Sequence, residues 1–267
     1  MTEPRQWGCN GEAYWATGST AAEVKPGVYQ FAHQPNGIAL TPIDLVTDDL
    51  MELPDPTCAE VLAGIEKFWQ MEERYRKHKL LYKRSIGLWG PPGSGKTATI
   101  SLLAQRFVAC GGLAILFNGI APDGLPVVRS IEPKRRVLCI MEELDDLLVS
   151  YEDEILSLLD GETQIDNIVY LATTNYFDKL PATIVNRPSR FDEWIEVPMP
   201  SPACRTAYLS KIARELPEDR IACWVRDTEG FSIAHLKELA VAVLCLDSPY
   251  DSVLKRLKDM IGAKTEE

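Results

Sequence analysis

The sequence predicts an α/β fold: a parallel sheet with helices on both faces, a C-terminal helical lid and a short N-terminal β appendage. Three observations predict it. Gly90, Pro92, Gly93, Ser94, Gly95, Lys96 and Thr97 fill the phosphate-loop pattern G-x-x-x-x-G-K-[ST], with an apolar run at 86–89 before it and helical spacing from Ala98 after it. Apolar runs at 113–118, 137–141, 168–173 and 194–197 alternate with helical segments at about 96–109, 124–131, 151–160 and 178–186. Such alternation implies crossover connections and a parallel sheet. After the Pro-rich stretch 198–202, only helical segments follow, at about 203–215, 218–227, 232–246 and 249–262.

In chain order, residues 1–25 read as irregular. Residues 27–33 and 37–42 form a hairpin across an Asn36-Gly37 turn, outside the nucleotide core. Its aromatics serve packing or a ligand surface. Pro56 suits the first turn of a helix running to about His78, with Ile65, Phe68, Trp69 and Met71 on its apolar face. Arg74, Arg76, Lys77, Lys79, Lys83 and Arg84 form the one basic cluster, read as a solvated face or as a phosphate contact. The organisation is an appendage over 1–50, a P-loop NTPase core over 51–200 and a lid over 201–267.

The glycines of the phosphate loop let successive backbone N–H groups turn toward phosphate oxygens, and the helix that opens at Lys96 and runs through Ala98 adds its positive dipole end. Lys96 reaches the β- and γ-phosphates, and the Thr97 hydroxyl ligates Mg²⁺. The strand 137–141 ends in Glu142 and Glu143, 45 and 46 residues after Thr97. Ligands of parallel sheets bind at such carboxyl ends, so Glu142 is placed to hold Mg²⁺ and Glu143 to polarise an attacking water. Asn175, at the polar tip of 168–175, orients the water, touches the γ-phosphate or caps a helix. Arg187 and Arg190 lie three apart; guanidinium binds phosphate bidentately and suits a clamp supplied in trans, the other reading being a structural pair with Asp192 or Glu193.

Composition narrows the function. A net charge of −11 disfavours general binding to a phosphate backbone. The seven cysteines are scattered without C-x-x-C spacing, which suits free thiols in a reducing compartment. There are three histidines, few for a His-based metal site. No apolar run nears the roughly 20 residues of a membrane span, and no signal-peptide core opens the chain. These features predict a soluble, cytoplasmic protein.

Taken together, the phosphate loop, the acidic strand tip, the segment 172–175, the Arg187–Arg190 pair and the lid segment 230–236 resemble the AAA ATPases over about residues 50–262. The resemblance implies Mg²⁺-dependent ATP hydrolysis. Thr97 and Glu142 handle the metal, Glu143 is the base, Asn175 the water-positioning residue, and Arg187 or Arg190 a neighbour's finger. It also implies a homo-oligomeric ring of six or seven copies, with adenine between 53–58 and the lid near Ala234 and His235. Within the family, Glu142 standing first at the strand tip, the basic lead-in 74–84 and the short interval from Asn118 to Val137 are similar to the mitochondrial respiratory-complex assembly subfamily, which exports the folded Rieske protein. The chain departs from it in having no membrane anchor before the core. It also lacks the aromatic–aliphatic–Gly pore motif of unfoldases, and one extra residue lies between Leu180 and Arg187. The implied substrate is a protein client to be remodelled or translocated; the alternative is a DNA-replication accessory such as a helicase loader.

Overall fold

The computed structural model describes residues 6–9, 13–17, 21, 23–35, 37–44, 51, 53, 54, 56–160 and 165–262. These divide into two compact units. One is built from Met1–Leu50, Ala59–Trp89 and Thr97–Glu196; the other from Met51–Cys58, Gly90–Lys96 and Val197–Glu267.

The first unit is organised by a nine-stranded sheet of order β1-β2-β4-β3-β6-β7-β8-β5-β9. Strands β5 (Lys83–Trp89), β6 (Leu113–Leu116), β7 (Val137–Met141), β8 (Ile168–Thr174) and β9 (Glu193–Glu196) run parallel. β7 and β8 are buried throughout, as strands covered on both faces must be. The expected hairpin forms as β3 (Gly27–Gln34) and β4 (Gly37–Pro42), but it does not stand apart from the core. β3 pairs in parallel with β6, Gly27 opposite Leu113 and Gln30 opposite Leu116, and so extends the sheet.

The stretch read as irregular supplies two more strands, β1 (Gln6–Cys9) and β2 (Tyr14–Thr17). Four-residue strands carry too little periodicity to be seen in sequence; long-range contacts hold these in place. The buried Glu132 carboxylate accepts hydrogen bonds from the Trp7 indole and the Val24 amide, both at 2.9 Å, and Arg135 donates to the Val24 carbonyl at 2.6 Å.

Helices α4 (Ala121–Ile131) and α5 (Leu144–Asp160) share a core with alternate residues of the strands, among them Leu113, Ile115, Val137, Cys139, Ile168 and Tyr170. α3 (Lys96–Ala109) and α1 (Pro56–Trp69) stack through Phe107 and Trp69, whose ring centroids lie 5.7 Å apart. The helix expected to continue to His78 breaks at Gln70 and resumes as α2 (Glu72–Lys77). The break lets Tyr75 fold back edge-on to Phe68, centroids 5.6 Å apart. α5 starts earlier than its expected residue 151. It carries a non-helical residue there, Tyr151 (φ −139°, ψ 32°), whose ring packs edge-on to Phe117.

α2 ends in a Schellman turn, with Leu80 N–H donating to Tyr75 O and Lys79 N–H to Arg76 O, and Lys79 in the left-handed region at φ 54°. The conformation costs a side-chain-bearing residue roughly 1–2 kcal/mol, against roughly 0.5–1 kcal/mol of extra chain entropy for glycine. Lys79→Gly is therefore expected to raise stability by about 0.5–1 kcal/mol, read as a melting temperature about 1–3 °C higher.

The second unit holds α7 (Pro202–Ile212), α8 (Glu218–Asp227), α9 (Ile233–Ala240) and α10 (Tyr250–Gly262) around Tyr208, Leu209, Trp224, Phe231, Leu236 and Leu257. The expected helix 232–246 leaves α-helical geometry after Ala240 and finishes as a π-turn, Val241–Cys245.

Candidate active site

Each half of the site follows from strand ends. In the sheet β8 lies between β7 and β5, with Met141 opposite Ala172 and Trp89 opposite Thr174. The carboxyl ends of three neighbouring strands therefore carry Glu142 and Glu143, Asn175, and Trp89, the last residue before the phosphate loop.

In the sheet unit, the Thr97 hydroxyl hydrogen-bonds the Glu142 carboxylate. Burial raises the affinity of Glu142 for a proton; the Thr97 bond works against this and the neighbouring Glu143 charge adds to it. A half-buried carboxylate that resists ionisation, beside a hydroxyl and a second acid, has the hard oxygen donors that Mg²⁺ takes. A bound cation would reverse the electrostatic penalty. The residues present fit the metal that the phosphate loop implies.

Glu143 is exposed, and its backbone is left-handed at φ 52°. Its amide donates to Thr173 Oγ1 at 3.1 Å, and its carbonyl accepts from Asp146 and Leu147 at the start of α5. This conformation costs about 1–3 kcal/mol and persists only where surroundings enforce it. Here it turns a carboxylate out of the sheet tip. Thr174 secures the neighbouring turn, donating to Asp145 Oδ1 at 2.7 Å and accepting from Tyr176 N at 3.0 Å, with the half-buried Asn175 between.

In the lid unit, the loop 90–96 is wound around Lys96. The ammonium, within a residue only 6% exposed, donates to Gly90 O at 2.7 Å and Pro91 O at 3.0 Å. Gly93 sits at φ +79°, and a Cβ there would come within 2.7 Å of Ser232 Cβ, so a side chain is excluded twice over. Ser232 caps α9 by accepting from His235 N, and its hydroxyl meets His235 Nδ1 at 2.6 Å. Nothing in the sequence pattern marks this loop-to-lid contact, because it is set by tertiary packing.

The two candidate arginines differ. Arg190, its side chain 8% exposed, donates to Asp160 Oδ2 at 2.8 Å and Thr183 O at 2.7 Å. Arg187, 60% exposed, reaches Asp160 only at 3.6 Å. Burial favours protonating Asp160, yet the Arg190 and Arg187 partners hold its carboxyl below the usual range. The structural partner is thus Asp160, distant in sequence, rather than Asp192 or Glu193. Asp160 closes α5, which starts after the carboxyl end of β7 and, 17 residues later and beyond the kink at Tyr151, ends beside Arg190. Lys83, the first residue of β5, donates to the carbonyls of Leu159 and Ser189, which fixes the Arg187 segment at the amino-terminal end of the strands.

Residues 86–199 match the model of the ATPase family associated with various cellular activities (AAA). Over this segment the chain is similar to the AAA ATPases. The chain is 27% identical to a proteasome-activating nucleotidase of Saccharolobus islandicus strain Y.N.15.51, over 91% of this chain and 72% of that protein. It is 30% identical to the proteasome-activating nucleotidase of Aeropyrum pernix over 59% of this chain and 44% of that protein. It is 29% identical to the ATP-dependent zinc metalloprotease FtsH of Acidothermus cellulolyticus over 67% of this chain and 30% of that protein. Among the described residues, no helix is long and apolar enough to cross a membrane.

Proposed function

We propose that this chain is an AAA ATPase that hydrolyses Mg²⁺–ATP in a homo-oligomeric ring of six or seven copies and uses the cycle to remodel or translocate a protein client. One observation carries the oligomeric part. The exposed Arg187 lies at the amino-terminal end of the sheet, whereas Glu142 and Glu143 lie at the carboxyl end. An arginine so placed is far from its own Glu143, which supports a role at a neighbour's phosphate. Lys96 and the loop amides from Gly90 to Ala98 bind phosphates, Thr97 and Glu142 hold the metal, Glu143 accepts the water's proton and Asn175 positions the water. When bound, Mg²⁺ neutralises charge on the β- and γ-oxygens. Arg187 is the principal finger, and Arg190 holds the segment in place through Asp160.

A protein client is supported by the relatives, one group named for activating a proteasome and the other a protease, and by the acidic charge. Both weigh against a helicase loader. The likeness to the Rieske-exporting subfamily favours a folded client. In its support, the turn 118–120 is pinned, with Asn118 Nδ2 donating to Phe31 O at 2.7 Å and Ile120 N to Asn118 Oδ1 at 3.2 Å, and the stretch from Asn118 to Val137 bears no aromatic residue. Seven unbridged cysteines suit a reducing, cytoplasmic compartment.

The test separates the arginines. Arg187→Ala is expected to bind ATP normally, keep its melting temperature and lose hydrolysis by at least about tenfold, below the 10³–10⁵ of arginines in related systems because the side chain is exposed. Arg190→Ala is expected to lose about 3 kcal/mol of stability, since it strands Asp160. Arg187→Ala hydrolysing at the wild-type rate would overturn the trans assignment.

A further inference from the structure

We infer that copies of this chain dock through a charge-complementary pair of surfaces. The basic face of α2 and its Schellman turn on one copy meets the acidic first turns of α5 on the next. The inference rests on the ring reading above and names the surfaces that build it.

The basic cluster is not uniformly engaged. Arg76 is committed to Glu72 and Asp166, Arg84 to Asp192 and Glu193, and Lys83 to two carbonyls. Arg74, Lys77 and Lys79 are exposed and form no ion pair among the described residues, and Leu80 beside them is 58% exposed. Asp146 at the other end of the sheet, and Glu152 and Asp153 midway along α5 beyond the kink at Tyr151, are likewise exposed and unpaired among the described residues. They flank Val149, an aliphatic side chain left 85% exposed on a helix whose Leu144, Leu148 and Ile155 are buried. Each surface thus combines a net uncompensated charge, three cations against Glu73 on α2 and its turn and acids alone on α5, with one exposed apolar residue, on a chain whose overall charge would drive copies apart.

Geometry links the two. The Asp166 carboxylate binds both Arg76 and the Tyr82 amide just before β8, so the basic face sits at the amino-terminal end of the strands, as Arg187 does. Asp146 and Val149 follow directly from Glu143 at the carboxyl end. If Arg187 of one copy is to reach the phosphate site of the next, the amino-terminal end of the first must face the carboxyl end of the second. That placement sets Arg74, Lys77 and Lys79 toward Asp146, Glu152 and Asp153. The contact is heterologous, the kind that closes into rings.

Two full-length variants test it, Lys77→Glu/Lys79→Glu and Asp146→Lys/Asp153→Lys, studied by sedimentation velocity with Mg²⁺–ATP. Each alone sets like charges face to face and is expected to raise the concentration of half-assembly about tenfold or more. Mixed one to one, they present opposite charges at every contact of an alternating ring of six and at all but one contact of a ring of seven. Assembly and ATPase rate are expected to return to within about threefold of wild type, an outcome that misfolding cannot produce. Wild-type assembly should weaken between 50 and 500 mM salt, roughly a 14 to 4 Å change in screening length. Variants that each assemble as wild type, or a mixture that fails to recover, would overturn the docking surfaces and leave the ring reading standing. A wild-type chain that stays monomeric at every concentration would overturn both. Normal assembly of the Lys77→Glu/Lys79→Glu variant with loss of binding to a single-stranded oligonucleotide would assign the basic face to nucleic acid and sink the inference.

Discussion

Lys96→Ala is expected to abolish measurable ATP binding. The loop 90–96 is otherwise made of backbone dipoles and one hydroxyl, and Lys96 is its only side-chain cation. Its ammonium is already drawn in by Gly90 O and Pro91 O, so the charge is held at the loop rather than recruited from solvent. Removing a buried, hydrogen-bonded charge also leaves those carbonyls without their donor, at about 1–3 kcal/mol each if they stay dry. Titration calorimetry with Mg²⁺–ATP is the check. An affinity within twofold of wild type would end the assignment of this loop. Lys96→Arg is expected to fail as well, because the planar guanidinium cannot replace a compact ammonium on a short path between two carbonyls.

Glu143→Gln is expected to bind ATP with near wild-type affinity and to hydrolyse it about 10²–10⁴ times more slowly, the usual range for a lost general base. The amide keeps the shape and the left-handed backbone turn, which depends on main-chain bonds to Thr173, Asp146 and Leu147 rather than on the carboxylate. Only proton acceptance is lost. Glu142→Gln should instead shift the Mg²⁺ concentration needed for turnover, since Glu142 pairs with the Thr97 hydroxyl. Single-turnover hydrolysis across a Mg²⁺ series separates the two. Normal turnover in Glu143→Gln with trapped ATP in Glu142→Gln would exchange their roles.

What could be read from the chain alone was what short-range chemistry dictates. The phosphate loop needs glycines and a lysine at fixed spacing, and the acids at the tip of β7 follow an uninterrupted apolar run, so both were visible. The two arginines looked alike in sequence. Their difference comes from Asp160, 27 residues before Arg187, and no local pattern could reveal that one guanidinium is buried against it and the other exposed. The β1 and β2 strands escaped for a similar reason, since their order depends on Glu132, 125 residues from Trp7. The breaks at Gln70 and Val241 were missed because helical periodicity on either side spans them, and the part of α5 before Tyr151 was missed outright; aromatic packing accompanies Gln70 and Tyr151.

The sheet also has a consequence for how this chain can be divided. The family signature occupies 86–199, yet that stretch is not a folding unit. Without β3, the backbone of β6 would present open donors and acceptors along a buried, apolar strand, an invitation to pair with another molecule. Without Trp7 and Val24, the interior carboxylate of Glu132 would lose two of its donors, and without Phe31 the Asn118 amide would lose its acceptor. The leading strands are thus inherited together with the engine they flank: a sequence fusion or truncation at the conventional family boundary would cut through a single hydrogen-bonded fabric.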